Sequence, residues 1–138
     1  MEIINSFGEL STLNVIPLSH RTDIINIDSG FSHSCAISQP IVSDETGTLG
    51  CWCGNKFGQS DIPSSFRQVS MISLGAYHTC AISSRMLVCW GNNIIGQTTV
   101  PIAFRKAYSV DTIIMHTCAL AHIKNKSMVG CWGTYGLI

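Results

Sequence analysis

Hydrophobic and polar positions alternate over short stretches of this chain, and turn-forming residues interrupt them often. Val69-Ser70-Met71-Ile72-Ser73-Leu74 and Met86-Leu87-Val88-Cys89-Trp90 are rich in branched and aromatic side chains and are bounded by Gly, Asn, Ser and Pro, the pattern of strands joined by turns. No window sustains the apolar spacing of a long amphipathic helix. Isoleucine recurs at Ile24, Ile25, Ile27, Ile37, Ile72, Ile82, Ile94 and Ile95. Its branched Cβ restricts helical rotamers and suits a pleated surface. The pattern predicts an all-β chain.

A phrase that occurs three times organises the strands. It reads His33-Ser34-Cys35-Ala36-Ile37 with Cys51-Trp52, His78-Thr79-Cys80-Ala81-Ile82 with Cys89-Trp90, and His116-Thr117-Cys118-Ala119-Leu120 with Cys131-Trp132. Successive histidines are 45 and 38 residues apart, a period of propeller blades once strands are established. Gly30 and Gly75 stand three residues before their histidines, and Asn55-Lys56-Phe57-Gly58-Gln59 and Asn93-Ile94-Ile95-Gly96-Gln97 follow the tryptophans, leading to Pro63 and Pro101. Glycine between strand patterns suits a turn, and proline lacks the N–H that a central strand needs.

Asn5-Ser6-Phe7-Gly8-Glu9 followed by Pro17 reads as the tail of a preceding unit. The division is therefore a single partial propeller over 1–138: a tail at 1–17, repeats at 18–63 and 64–101, and an incomplete repeat at 102–138. The expected fold is all-β, a partial β-propeller of about three four-stranded blades. Closed propellers use about four to eight blades, so the expectation is a partial propeller, a piece of a longer product, or an assembly that closes by association.

The motif Gly-x-x-His-x-Cys-Ala, then Cys-Trp-Gly-x-Asn-x-x-Gly-Gln, resembles the repeats of the regulator of chromosome condensation superfamily, particularly its cysteine-containing branch in secreted bacterial proteins and plant receptor-kinase ectodomains. The resemblance runs through essentially all of 1–138 and is most specific in the two central units. It implies a fragment of a seven-bladed ring used for binding proteins. Cys53 departs from the pattern where Gly91 stands, Ile113 departs where Gly30 and Gly75 stand, and the last tail lacks its Asn and Gln. The resemblance carries no active-site residue onto this chain.

Hairpin geometry gives the cysteines an independent reading. With a two-residue turn at Ser84-Arg85, Cys80 falls opposite Cys89 on a non-hydrogen-bonded pair, where Cα atoms approach closely enough for a disulfide. The same register sets Cys35 opposite Cys51 and Cys118 opposite Cys131, leaving Cys53 unpaired. Insertions at hairpin tips cost little, so the tip Ser38–Gly47 is the expected variable loop and a place for specific contact. Disulfides would favour an extracellular or secretory setting, although no signal peptide is visible at Met1-Glu2-Ile3-Ile4-Asn5-Ser6. Asn125-Lys126-Ser127 is a glycosylation triplet in a hairpin tip.

Cys53 faces His33 in this register, beside Cys35 and Cys51, a set that could hold zinc. The preferred reading is a disulfide with a neighbouring free thiol. His33, His78 and His116 recur with the strands and are read as structural, a ring nitrogen satisfying a backbone group at a blade edge while the other stays wet. Trp52, Trp90 and Trp132 point to the sheet face opposite the cysteines and are expected to pack between blades. Gly58 and Gly96 complete the repeated structural positions. The carboxylates Asp23, Asp28, Asp44, Glu45, Asp61 and Asp111 show no acid–base pairing.

Composition narrows function further. Eight Lys and Arg balance eight Asp and Glu, so nucleic acid has no basic surface to meet. No apolar run reaches the length of a membrane span, and no cofactor or metal is expected. Only 12% of residues are charged, as expected where surface meets further blades or another copy. The reading is a non-catalytic repeat protein serving as a protein-interaction platform, with further propeller blades, another protein or self-association as partners. Alternatives are a fragment of a larger receptor or secreted repeat protein without independent activity, a propeller enzyme acting on glycans, and a small-GTPase exchange or regulatory factor.

Overall fold

The computed structural model describes residues 2–4, 10–12, 22–40, 47–66 and 68–133. The expected leading tail around Asn5–Glu9 and Pro17, positions 41–46 of the first hairpin tip and the final Tyr135-Gly136 lie outside the described residues. Strands β1 (Glu2–Ile4) and β2 (Leu10–Thr12) pair antiparallel. Next come β3 (Thr22–Ser29), β4 (His33–Pro40) and β5 (Thr48–Cys53), then β6 (Val69–Leu74), β7 (His78–Ser83) and β8 (Met86–Gly91), and finally β9 (Ser109–Ile113), β10 (His116–Ile123) and β11 (Lys126–Trp132). Each trio is a three-stranded antiparallel meander with the middle strand central.

The second and third sheets turn their outer hairpins at Ser84-Arg85 and Lys124-Asn125. All four residues have positive φ, at 49, 65, 50 and 61°. Two successive positive φ values match the right-handed twist of flanking strands. The turns set the register: Cys80 lies opposite Cys89 and Cys118 opposite Cys131, while Cys35 lies opposite Cys51 across the first tip. All three pairs are disulfides with Cα separations of 4.0–4.1 Å. Cys53 is free and exposed.

The core lies between sheets, not within one. Cys35, Ile37 and Leu49 of the first sheet meet Val69, Ile72, Leu74 and Ala81 of the second. Cys80, Ile82 and Leu87 of the second meet Ala107, Val110, Ala119, Ala121 and Trp132 of the next unit. Strand alternation makes this double use possible, because successive side chains point to opposite faces. In β7, Ala81 belongs to one core, Cys80 and Ile82 belong to the other, and all six residues are buried.

The expected four-stranded blade is three-stranded among the described residues. The segments that follow β5 and β8 use their backbone groups in turns and in bonds to their own Asn and Gln side chains. Pro63 and Pro101 contribute no N–H, and a short 3-10 turn, Ile102–Phe104, follows the second proline. A backbone so engaged has little left for a fourth ladder.

Replacing Cys35 and Cys51 together by alanine is expected to lower the unfolding free energy by about 3 kcal/mol, the chain-entropy value for a closed loop of roughly 15 residues. The check is chemical denaturation, read as a lower midpoint.

Candidate functional site

The repeated histidines form joints between neighbouring sheets. His33 Nε2 lies 2.7 Å from Thr79 Oγ1, and Thr79 donates its hydroxyl hydrogen to the Gln59 carbonyl at 2.9 Å. One repeat later, His78 Nε2 lies 3.0 Å from Thr117 Oγ1, and Thr117 donates to the Gln97 carbonyl at 2.8 Å. A hydroxyl has one hydrogen to give. Since the carbonyl takes it, Nε2 must donate to the threonine, which selects the Nε2–H tautomer and leaves Nδ1 bare.

Both rings are buried, and neither His33 Nδ1 nor His78 Nδ1 has a hydrogen-bond partner among the described residues. Burial lowers both pKa values, because the charged imidazolium would lose its hydration. Asp28 opposes this at His33, whereas His33 and His116 reinforce it at His78, whose pKa falls to about 4. These histidines are neutral structural donors at physiological pH. The expected partner for each was a backbone group, with the other nitrogen wet; the ring is instead held by a hydroxyl of the next sheet, with both nitrogens enclosed.

The glycines before His33 and His78 make room for the joint. A Cβ on Gly75 would overlap the His78 ring, and a Cβ on Gly30 would overlap the Gly75 carbonyl. At the third copy Ile113 occupies this position, opposite His116, and His116 is half-buried where His33 and His78 are enclosed.

The Asn-x-x-Gly-Gln segment is a self-bonded loop that delivers the glutamine carbonyl. Asn55 Oδ1 accepts from Ser60 N–H at 3.0 Å and Gln59 Oε1 from Phe57 N–H at 2.9 Å. Asn93 and Gln97 do the same for Thr98 and Ile95, at 2.9 and 3.1 Å. Gly58 and Gly96 sit at φ 75 and 82°, a region in which glycine escapes the Cβ penalty. Trp132 Nε1 also donates to the Gln97 carbonyl at 3.1 Å, and its ring packs on Phe104 from the connecting segment. Trp90 makes the matching contact with Phe66, while its Nε1 is buried without a partner among the described residues. Trp52 is half-buried.

Cys53 holds φ 74° where its counterparts Gly91 and Gly133 have 105 and 93°. A Cβ at Gly91 would meet Gln59 Cβ at 3.0 Å, and one at Gly133 would meet Gln97 Cα at 2.6 Å, so the close approach of the preceding tail requires glycine there. Cys53 pairs with His33 in the ladder, but Cys35 and Cys51 are bonded to each other, and no group of three or more His, Cys, Asp or Glu among the described residues could hold a metal ion.

One exposed apolar feature is a rim at the end of the sheets where the strand-joining turns and the Asn–Gln loops meet. Gly54 N–H bonds Ser32 O at 2.7 Å and Asn92 N–H bonds Tyr77 O at 2.8 Å, tying each loop to its turn. This sets Phe31 against Tyr77, with ring centroids 5.7 Å apart, and Phe57 against Tyr77 at 5.3 Å. Lys56 Nζ lies 5.6 Å over the Phe57 ring. Phe31 is 79% exposed and Ile94 is 78% exposed. This rim and the two joint threonines were missed in the sequence. Their signals were a hydroxyl at the x of every His-x-Cys, and an aromatic in the turns Phe31-Ser32 and Ala76-Tyr77.

No protein-family model and no curated protein matches the chain. Solved structures do. The entire ectodomain of the Physcomitrella patens receptor kinase CR4 superposes with a TM-score of 0.62 at 23% identity, covering 86% of this chain and 32% of that one. The CRINKLY WD40 ectodomain of the Arabidopsis thaliana receptor kinase ACR4 gives 0.59 at 20% identity, over 92% and 46%. The C-terminal domain of gp131 from bacteriophage phiKZ gives 0.59 at 15%, over 81% and 36%. The chain thus spans less than half the length of each, and the likeness is one of fold: an all-β, propeller-like arrangement of repeats. Of the resemblance drawn from the repeats, what these structures support is the propeller-like repeat fold.

Two outcomes follow from the joints. Both histidines have folded-state pKa values below the unfolded 6.5, so below that pH the unfolded chain binds protons that the folded chain rejects. Stability is complete above about pH 6.5 and falls as pH drops toward 4, with about 3 kcal/mol of the loss belonging to His78. Denaturation at a series of pH values is expected to show this slope, reduced in His78→Gln. Cys53→Gly relieves a positive φ and is expected to raise stability by about 1 kcal/mol in the same assay.

Proposed function

We propose that the chain is a non-catalytic segment of a propeller-like repeat ectodomain, without chemical activity of its own, whose stacked sheets present an apolar rim to a protein partner. The observation that carries this is how the recurrent polar side chains are used. His33, His78, Thr79, Thr117, Gln59 and Gln97 bond to one another or to backbone groups, so the residues that could carry chemistry join sheets instead. The carboxylate of Asp28 takes the N–H groups of Ser29 and Leu74, which gives no support to a paired acid and base of the kind a glycan hydrolase needs. Exposed aromatic surface remains, the composition that protein interfaces favour.

Supporting this reading, two of the matched structures are receptor-kinase ectodomains much longer than this chain. Three disulfides suit an oxidising, extracellular compartment. In this reading the repeats at 18–63, 64–101 and 102–138 are blades, and the cysteine-bearing motif marks the same branch of repeats as plant receptor ectodomains. An exchange-factor role has fold analogy alone behind it.

The test is binding to an arrayed panel of ectodomains from the same source. A member is expected to bind the intact chain and to lose at least tenfold in affinity with Phe31→Ser/Phe57→Ser, while the melting temperature holds. Binding unchanged in that variant, or no binder on the panel, overturns the rim as a partner site.

A further inference from the structure

Among the described residues, the first and third sheets each leave open a face whose counterparts are covered elsewhere in the same molecule. By register, Leu120 and Val129 occupy in the third sheet the positions of Ile37 and Leu49 in the first and of Ile82 and Leu87 in the second. Those four are buried against the following sheet, whereas Leu120 is 37% exposed and Val129 65%. At the other end, Ile27 stands where Ile72 and Val110 stand. It is 62% exposed, whereas both counterparts are buried against the preceding sheet.

The polar joints have counterparts at the same two faces that no following or preceding sheet engages among the described residues, although Asp111 Oδ1 takes a long 3.5 Å contact from Ser73 Oγ. Asp28 Oδ2 accepts from Leu74 N–H at 2.8 Å, and Ser73 Oγ accepts from Thr112 N–H at 2.9 Å. Asp111 is the third member of that series, opposite Cys118 as Asp28 is opposite Cys35 and Ser73 opposite Cys80. Ser29 stands at the position of Leu74 and Thr112. Likewise His116 follows His33 and His78, and Ser34 stands at the position of Thr79 and Thr117. Ser29 N–H and Ser34 Oγ now bond locally, to Asp28 Oδ1 at 2.8 Å and to Ser29 Oγ at 2.9 Å, exposed contacts that an incoming group can replace.

We propose that the third sheet of one copy docks on the first sheet of a second copy, repeating the joint that already connects sheets within the chain. Leu120 and Val129 pack on Ile27, the Asp111 carboxylate accepts from Ser29 N–H, and His116 donates to Ser34 Oγ. The inference rests on reading the sheets as stacking blades and adds the identity of the partner. The surfaces differ, so the contact is head-to-tail, and such contacts close into rings when the rotation per unit permits. The three such sheets among the described residues of each copy make six for a pair, within the roughly four to eight blades of closed propellers.

Sedimentation of the full chain is expected to give a discrete dimer. Leu120→Lys blocks one face and Ile27→Lys the other, so each alone is expected to be monomeric. Their equimolar mixture is expected to re-form a dimer through the one intact pair of faces. Circular dichroism and a count of free thiols confirm folding, and Asp111→Lys substitutes for Leu120→Lys should that variant misfold. A monomeric wild-type chain, variants that stay dimeric, or a mixture that stays monomeric each overturn the proposal. Phe31→Ser/Phe57→Ser should remain dimeric, so a monomeric chain that still binds an ectodomain through its rim would reject the docking and leave the rim standing.

Discussion

The hydrogen bond from a buried neutral imidazole to a threonine of the next sheet is the constraint on which the rest of the arrangement depends. A three-stranded meander is thin and cannot bury both of its faces by itself. Stacking solves this for the apolar residues, but it also encloses a polar ring and a hydroxyl, each costly to bury without a partner. The joint satisfies them together, and it does so in only one relative placement of the sheets. Apolar packing between sheets is tolerant of sliding; a bond from His33 to Thr79 and on to the Gln59 carbonyl is not.

Other repeated residues serve this joint. The glycines at 30 and 75 leave space for the imidazole, and the Asn–Gln loop turns a carbonyl toward the threonine. The tryptophans press the connecting segment into place, through Phe66 and Phe104. The disulfides act at a different level. They staple each hairpin internally and leave the relation between sheets to packing and to the histidine. Stability therefore has two sources with different sensitivities: covalent closure, lost on reduction, and a neutral buried joint, lost on acidification.

Where the repeat breaks its own pattern, the structure changes with it. Ile113 in place of glycine accompanies a half-buried His116. Cys53 in place of glycine takes a positive φ on a carbon that carries a side chain. Both departures fall at sheets with no neighbour on that side among the described residues. Positions that are glycine in an enclosed joint thus carry larger side chains where no adjoining sheet stands among the described residues.

Strand content, hairpin pairing and the opposition of cysteines were legible in the sequence because they are local. A period of two, a two-residue turn and a fixed ladder register settle them within a few dozen residues, as at Cys80 and Cys89. The roles of Thr79 and Thr117 were not legible, although a hydroxyl recurred there, because the group each one meets lies 46 and 39 residues away on another sheet. The aromatic rim was hidden for the same reason, since Phe31, Phe57 and Tyr77 come from two turns and a loop. The expected fourth strand is absent among the described residues because side chains of the tail compete for backbone groups that a fourth ladder would use. Local stereochemistry thus determined the elements and their internal register. Only tertiary structure decided which faces meet, because contacts between sheets depend on groups that no short-range periodicity relates.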